Sequence, residues 1–117
     1  MHELSLCRSI LQIADGAREG RAVDVVCLQV GQLRQVVPRT LEHCWTLVTE
    51  HTGLRGSRLE IEHVPVALRC GDCGCHTRAV HRLVLTCGGC GSGRVTVTHG
   101  EEFMLTTMVL RGDGDDG

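Results

Sequence analysis

Cys70-Gly71-Asp72-Cys73-Gly74 and Cys87-Gly88-Gly89-Cys90-Gly91 are two copies of one pattern, here called the first and the second knuckle. In each copy, two intervening residues let both sulfurs reach one metal ion. The glycine that follows can adopt the left-handed conformation that turns backbone amides toward the thiolates. Four thiolates that leave no position for water are typical of structural zinc. The predicted zinc ligands are Cys70, Cys73, Cys87 and Cys90.

Other interpretations of the cysteines are an iron–sulfur site, a redox dithiol and disulfides. Iron–sulfur spacing usually differs, and a thioredoxin-like motif needs one Cys-x-x-Cys at the start of a helix that follows a strand. Disulfides are disfavoured in the cytosol, where thiols stay reduced. Cys75 and His76 are close enough in sequence to replace a ligand of the first knuckle. Cys7, Cys27 and Cys44 fall on apolar faces, where a cysteine is most often a small buried hydrophobe.

The rest of the chain has the periodicity of an α+β domain. Apolar residues follow helical spacing from Leu4 to Ala17, and again from Pro38 until Gly53 interrupts the pattern. Strand patterns cover residues 23–30, 58–66 and 102–110. The first strand is apolar on both faces, and Pro65 indicates that the second lies at an edge or is ending. We expect two helices packed on a small, about three-stranded β-sheet.

The knuckles lie between the second and third strand patterns, so they form an inserted module in the expected fold. The arms of this module, residues 78–85 and 94–98, have β-type sequences that predict a hairpin across the two knuckles. The predicted organisation is an α+β domain of residues 1–68 and 99–110, a zinc-ribbon-like module of residues 69–98, and a disordered tail of residues 111–117.

Composition and charge disfavour several classes of function. Trp45 and Phe103 are the only aromatic residues, so base stacking is not expected. Lys and Arg total 12 and Asp and Glu total 14, whereas nucleic-acid-binding domains usually have a clear basic excess. No long apolar run or signal peptide is recognisable, so we expect no membrane association and a cytoplasmic location. No nucleophile paired with a base and no phosphate-binding glycine loop can be recognised, so we expect no enzymatic activity.

The first three residues, Met1-His2-Glu3, offer a second kind of metal site. If Met1 keeps its free amine, that nitrogen, the deprotonated amide of His2 and the His2 imidazole can bind one ion in fused rings. The amide of Glu3 or an incoming ligand can supply a fourth corner. Nitrogen-rich square-planar coordination is typical of nickel(II) or copper(II). Taken alone, a histidine at position 2 is more often an exposed side chain near a helix start.

Segments along nearly the whole chain match one known family in order and spacing. They are Met1-His2-Glu3-Leu4-Ser5-Leu6, Val30-Gly31-Gln32-Leu33, Val37-Pro38 with Leu41, Leu59-Glu60-Ile61-Glu62, the two knuckles, and Gly100-Glu101-Glu102. Together they resemble the HypA/HybF family of hydrogenase-maturation nickel metallochaperones. The opening Met-His-Glu and the paired knuckles are the specific parts of the match, and the apolar positions between them are supportive.

The resemblance implies two metals with different roles. Members of that family bind nickel through the N-terminal segment and zinc through the four cysteines, and they deliver nickel to nickel–iron hydrogenase with a GTPase partner. Carried onto this chain, the nickel residues are Met1, His2 and Glu3, with His2 indispensable; nickel is transported and zinc is structural. The expected partners are a hydrogenase-maturation GTPase and the large-subunit precursor of nickel–iron hydrogenase, and the chain is expected to be a monomer or weak homodimer.

Some positions depart from the family pattern. Met108-Val109 stands where relatives often have Leu-Glu, and Arg39 stands where relatives often have an acid, which alters the partner surface. His81 and His99 flank the zinc module and are candidates to complete a nickel site in a complex. The alternative function is a zinc-ribbon nucleic-acid-binding or protein-interaction module without a transported metal, which leaves His2 without a role.

Overall fold

The computed structural model describes residues 2–79 and 85–112. This part of the chain forms, in order, α1 (His2–Ala17), β1 (Val23–Gly31), α2 (Pro38–Thr49), β2 (Arg58–Val64), β3 (Val66–Cys70), β4 (His76–Ala79), β5 (Val95–His99) and β6 (Phe103–Leu110). A short 3-10 turn, Gln32–Arg34, follows β1 directly. The strands form two three-stranded sheets, ordered β2-β1-β6 and β4-β3-β5. The predicted α+β class is confirmed.

The two predicted helices are confirmed and contact each other through their apolar faces. α2 begins at Pro38, whose fixed φ suits the first helical position. Trp45 is buried, and its Nε1 donates to Ser57 Oγ at 3.0 Å, so the indole has a polar partner. The buried helix residues are Cys7, Ile10 and Ala14 on α1, and Leu41, Trp45 and Thr49 on α2.

The first sheet has β1 as its central strand. Val25 and Val26 point to opposite faces of β1 and are both buried, as its apolar pattern predicts. β6 lies beside β1, so the last strand returns to the first sheet as expected. The predicted strand over residues 58–66 needs a correction, because β2 ends at Val64 and Val66 begins β3. Pro65 separates them because it has no N–H to donate to a ladder.

The second sheet has β3 between β4 and β5. Leu68 is paired with Thr77 of β4 on one side and with Val97 of β5 on the other. The prediction that the two arms pair with each other is therefore wrong. Val66 and Leu68 are buried in the core of this sheet, so β3 takes the central position and the arms become its two neighbours. Residues 80–84, which include His81 and most of the first predicted arm, lie outside the described residues.

The chain divides into two compact units. The first comprises residues 1–29, 36–62 and 104–117, and the second comprises residues 30–35 and 63–103, which include both knuckles. Arg111, which the sequence analysis assigns to the tail, belongs to the first unit, where its Nε donates to Asp24 Oδ1 at 2.7 Å. The rest of the predicted tail from residue 113 onward lies outside the described residues. Neither described helix is long and apolar enough to cross a membrane.

Candidate metal centre

The four predicted zinc ligands lie together in the second unit. The sulfurs of Cys70, Cys73, Cys87 and Cys90 all lie within 4.8 Å of one another. The distance from Cys70 Sγ to Cys90 Sγ is 3.6 Å, and the distance from Cys73 Sγ to Cys87 Sγ is 3.5 Å. A zinc ion with sulfurs at about 2.3 Å needs tetrahedral edges of about 3.8 Å. The donor set and its spacing therefore fit one tetrahedral zinc ion.

The backbone of each knuckle is folded around the first of its two sulfurs. In the first knuckle, the N–H groups of Asp72 and Cys73 donate to Cys70 Sγ at 3.3 and 3.4 Å. The second knuckle repeats the pattern at the same distances, with Gly89 and Cys90 donating to Cys87 Sγ. These donors stabilise a negative sulfur, so each knuckle is arranged for a thiolate.

The glycine that ends each knuckle has the predicted left-handed conformation. Gly74 has φ 77° and Gly91 has φ 75°. Their N–H groups donate to the carbonyl oxygens of Cys70 and Cys87 at 3.1 and 2.9 Å. A residue with a Cβ is strained at such a φ, so glycine is required for this turn.

The hydrogen bonds to sulfur lower the pKa of the first cysteine in each knuckle. The N–H of Cys90, followed by that of Gly89, lowers the pKa of Cys87 to about 6. The N–H groups of Cys73 and Asp72 lower the pKa of Cys70 below its usual value of 9.0. Both sulfurs are thus favoured in the deprotonated form that binds metal.

Side chains that sequence reasoning did not select connect the two knuckles. Ser92 Oγ donates to Asp72 Oδ2, and Arg94 Nη1 lies 3.6 Å from Asp72 Oδ1. The N–H of Gly88 donates to Thr77 Oγ1 at 3.0 Å, which joins the second knuckle to β4. One signal was available in the sequence: the repeat continues one residue beyond the glycines, with Cys75 and Ser92 at corresponding positions.

Cys75 and His76 do not belong to the set of four sulfurs. Cys75 nevertheless affects Cys73. The Cys75 N–H lowers the pKa of the Cys73 thiol, but the thiols of Cys75 and of the other cluster cysteines raise it more. The pKa of Cys73 is therefore raised above its usual value. His76 is exposed at the start of β4. It lines an open cavity of about 360 Å³ together with Arg78 and His99.

The N-terminal candidates lie at the beginning of α1. His2 is the first helical residue and is exposed. Glu3 Oε2 accepts a hydrogen bond from the N–H of Val37 at 3.3 Å. The backbone N–H of Glu3 itself, followed by that of Val37, holds the pKa of this carboxyl below its usual value of 4.5. Met1, the third predicted nickel residue, lies outside the described residues.

The remaining cysteines are separate from the metal centre. Cys7 is buried as predicted, its Sγ donates to Leu41 O at 3.3 Å, and burial raises its pKa to about 12. Cys27 and Cys44, which also fall on apolar faces, are only half-buried. None of the eight cysteines forms a disulfide.

Comparison with known proteins gives consistent matches over nearly the whole chain. A family model described as hydrogenase/urease nickel incorporation, metallochaperone, hypA matches residues 1–110. Hydrogenase maturation factor HypA of Desulfosudis oleivorans is 36% identical over 115 residues, which cover 95% of this chain and 99% of that protein. The factor of the same name from Acidithiobacillus ferrooxidans is 39% identical over 111 residues, covering 92% and 97%. The solution structure of the Ni metallochaperone HypA from Helicobacter pylori shares the fold, with a TM-score of 0.68 at 20% identity, and the match covers 94% of this chain and 97% of that one.

Proposed function

The chain belongs to the HypA family of hydrogenase/urease nickel-incorporation metallochaperones, and on that premise we propose that it binds nickel at its N-terminus and delivers it during maturation of nickel–iron hydrogenase. The observation that carries this proposal is the exposed His2 at the first position of α1, at the N-terminus of a chain whose residues 1–110 match the family. The proposed nickel residues are Met1, His2 and Glu3.

The helix start favours this mode of nickel binding. The first N–H groups of a helix have no acceptor within the helix. A metal can therefore replace the proton of the His2 amide, which is released to solvent, without breaking a helical hydrogen bond. The amide nitrogen and the imidazole then lie in one residue, and the amine of Met1 would complete a planar nitrogen set of the kind that nickel(II) prefers.

Zinc has the structural role in this proposal and is held by Cys70, Cys73, Cys87 and Cys90. Four thiolates leave no open position for water or for a second ligand. The second unit has a small core of Val66, Leu68 and Ala79, so a metal that joins the knuckles would supply much of its stability. Nickel and zinc would then occupy separate sites of different geometry.

The proposed partners are a hydrogenase-maturation GTPase and the large-subunit precursor of nickel–iron hydrogenase. Transfer requires the receiving protein to approach the N-terminus. Val37 is 53% exposed, and its N–H bond to Glu3 fixes it beside the start of α1. An exposed apolar side chain next to the metal residues suits a docking contact in the first unit.

Nickel titration of tag-free protein tests this function. We expect the wild type to bind one nickel ion per chain, His2→Ala to abolish binding, and zinc content to stay unchanged. Affinity should fall as pH drops, because the amine and the imidazole bind metal only after losing their protons. His43→Ala, which removes another exposed helical histidine, is the matched control and should bind nickel like the wild type. Wild-type nickel binding by His2→Ala would refute the proposed site.

A further inference from the structure

The two knuckles correspond to each other one residue beyond their glycines. The N–H of Cys70 donates to the carbonyl oxygen of Cys75 at 2.9 Å, and the N–H of Cys87 donates to the carbonyl oxygen of Ser92, also at 2.9 Å. These bonds close equivalent loops. Cys75 and Ser92 therefore occupy the same place in the two halves of the site, although one offers a thiol and the other a hydroxyl.

The Ser92 hydroxyl is fully engaged within the second unit. It donates to Asp72 Oδ2 and accepts a hydrogen bond from the N–H of Arg94 at 3.0 Å. Serine is also a weak metal ligand compared with a thiolate. The second knuckle thus has no spare donor for a metal beyond its two cysteines.

The Cys75 thiol instead lies near the second knuckle. Its Sγ lies 3.6 Å from the position that a Cβ on Gly89 would occupy, and Cys87 Sγ lies 3.7 Å from the same point. Because both sulfurs lie within 3.7 Å of the same point, the distance between Cys75 Sγ and Cys87 Sγ is less than twice 3.7 Å. The backbone bond from Cys70 to Cys75 holds the same residue to the backbone of the first knuckle. Cys75 is therefore tied to the first knuckle by its backbone, while its thiol lies near the second knuckle.

We propose that Cys75 is a fifth thiol of the zinc centre and can replace Cys73 as a ligand. The proposal rests on the zinc site assigned above. In the exchange, Cys75 Sγ loses a proton to solvent and binds zinc, while Cys73 Sγ leaves and takes up a proton. Four thiolates remain bound in either arrangement, so neither the charge of the site nor its proton count changes.

Exposure explains why Cys73 is the ligand that exchanges. Cys70 and Cys87 are each only 3% exposed and accept two backbone hydrogen bonds, so they are fixed in place. Cys73 and Cys90 are the exposed ligands. Only Cys73 has a cysteine at the position after its glycine, so exchange is confined to the first knuckle.

Zinc retention in matched variants tests this inference. Cys73→Ala and Cys90→Ala each remove one exposed ligand, but only the former leaves a thiol in reserve. We expect Cys73→Ala to retain one zinc per chain with affinity reduced no more than about tenfold, and Cys90→Ala to lose roughly 100-fold or more, because all four ligands contribute to a structural zinc site. Cys73→Ala/Cys75→Ser should behave like Cys90→Ala.

Chelator competition gives the affinities, and cobalt substitution reports the number of bound sulfurs through the thiolate-to-cobalt charge-transfer band. Cys73→Ala should keep the wild-type band, and the double variant should lose intensity. Equal zinc loss in Cys73→Ala and Cys90→Ala, or an unchanged site when Cys75→Ser is added to Cys73→Ala, would overturn the proposal. A wild-type protein without zinc would instead refute the zinc assignment itself, so the two failures are distinguishable.

Discussion

Replacing Gly31 by alanine should destabilise the second unit through one backbone contact. A Cβ at position 31 would lie 2.0 Å from the carbonyl oxygen of Gly100 and 2.6 Å from the nitrogen of Glu101. Gly31 has φ −74° and ψ 148°, which any residue adopts, so the close approach alone requires glycine. Because the contacting atoms belong to the backbone, rotation of a side chain cannot relieve the clash, and the two segments must separate by roughly 1.4 Å to reach van der Waals contact.

The cost follows from the bonds that hold these segments together. The N–H of Gly31 donates to the carbonyl oxygen of Glu102 at 2.7 Å, and the N–H of Leu33 donates to that of Gly100 at 2.8 Å. Losing both costs about 2 kcal/mol, and overpacking adds about 1–2 kcal/mol. The total of about 3–4 kcal/mol corresponds to a melting temperature lower by roughly 12–16 °C for a domain of this size.

Thermal unfolding at saturating zinc, followed by circular dichroism, measures this change. Gly16→Ala is the matched control, because a Cβ at position 16 meets nothing within 4 Å and the residue lies in α1. Alanine there should leave the melting temperature unchanged or raise it slightly, since glycine is the poorer helix former. If Gly31→Ala melts with the wild type, the reasoning from the close contact is refuted.

Two further predictions concern the indole and the thiolates. Ser57→Ala leaves the Trp45 N–H without its acceptor, so the free energy of unfolding should fall by about 1–3 kcal/mol in a denaturant titration followed by Trp45 fluorescence. Replacement of the exposed Thr46 by alanine is the control and should have little effect. Equal stability of the two variants would contradict this prediction. The pKa of Cys87 is lowered from 9.0 to about 6. In chelator-treated protein, the Cys87 thiolate should therefore stabilise the fold fully above pH 9, and this stabilisation should be lost as the pH falls through 6. The melting temperature should therefore decline over that window and Cys87→Ser should lack this component; identical pH profiles for the two proteins would argue against the assigned shift.

The elements with long regular patterns were predictable, and the pairing of short strands was not. The apolar spacing of residues 4–17 and the proline at position 38 located both helices, because these signals are local. The predicted hairpin failed because β3 was not recognised as a separate strand: only its first residue, Val66, fell within the strand predicted through Pro65. Leu68 and its neighbours are placed at the centre of the second sheet by burial against distant residues, which periodicity in one segment cannot reveal.

The metal centre shows the same division between local and distant information. Cys-x-x-Cys-Gly spacing predicts four clustered sulfurs and the two left-handed glycines, because both follow from the geometry of a single turn. The position of Cys75 relative to Gly89 depends on how the two knuckles face each other, and the sequence does not specify that arrangement. The bond between Glu3 and Val37 also joins residues that are far apart in sequence.

The self-contained knuckles also have a consequence for how the proposed zinc site would be loaded. Each knuckle forms its hydrogen bonds to sulfur within its own few residues, so the arrangement of one pair of thiolates does not depend on the other pair. Once an ion is bound by one pair of thiolates, the second pair belongs to the same chain, and its effective concentration at the ion is on the order of millimolar. Bringing together the two ends of the 13 residues between Cys73 and Cys87 is then the main entropic cost of completing the site. If the ion binds in two steps, a chelator can also remove it in two steps, since one knuckle can release the ion while the other still holds it.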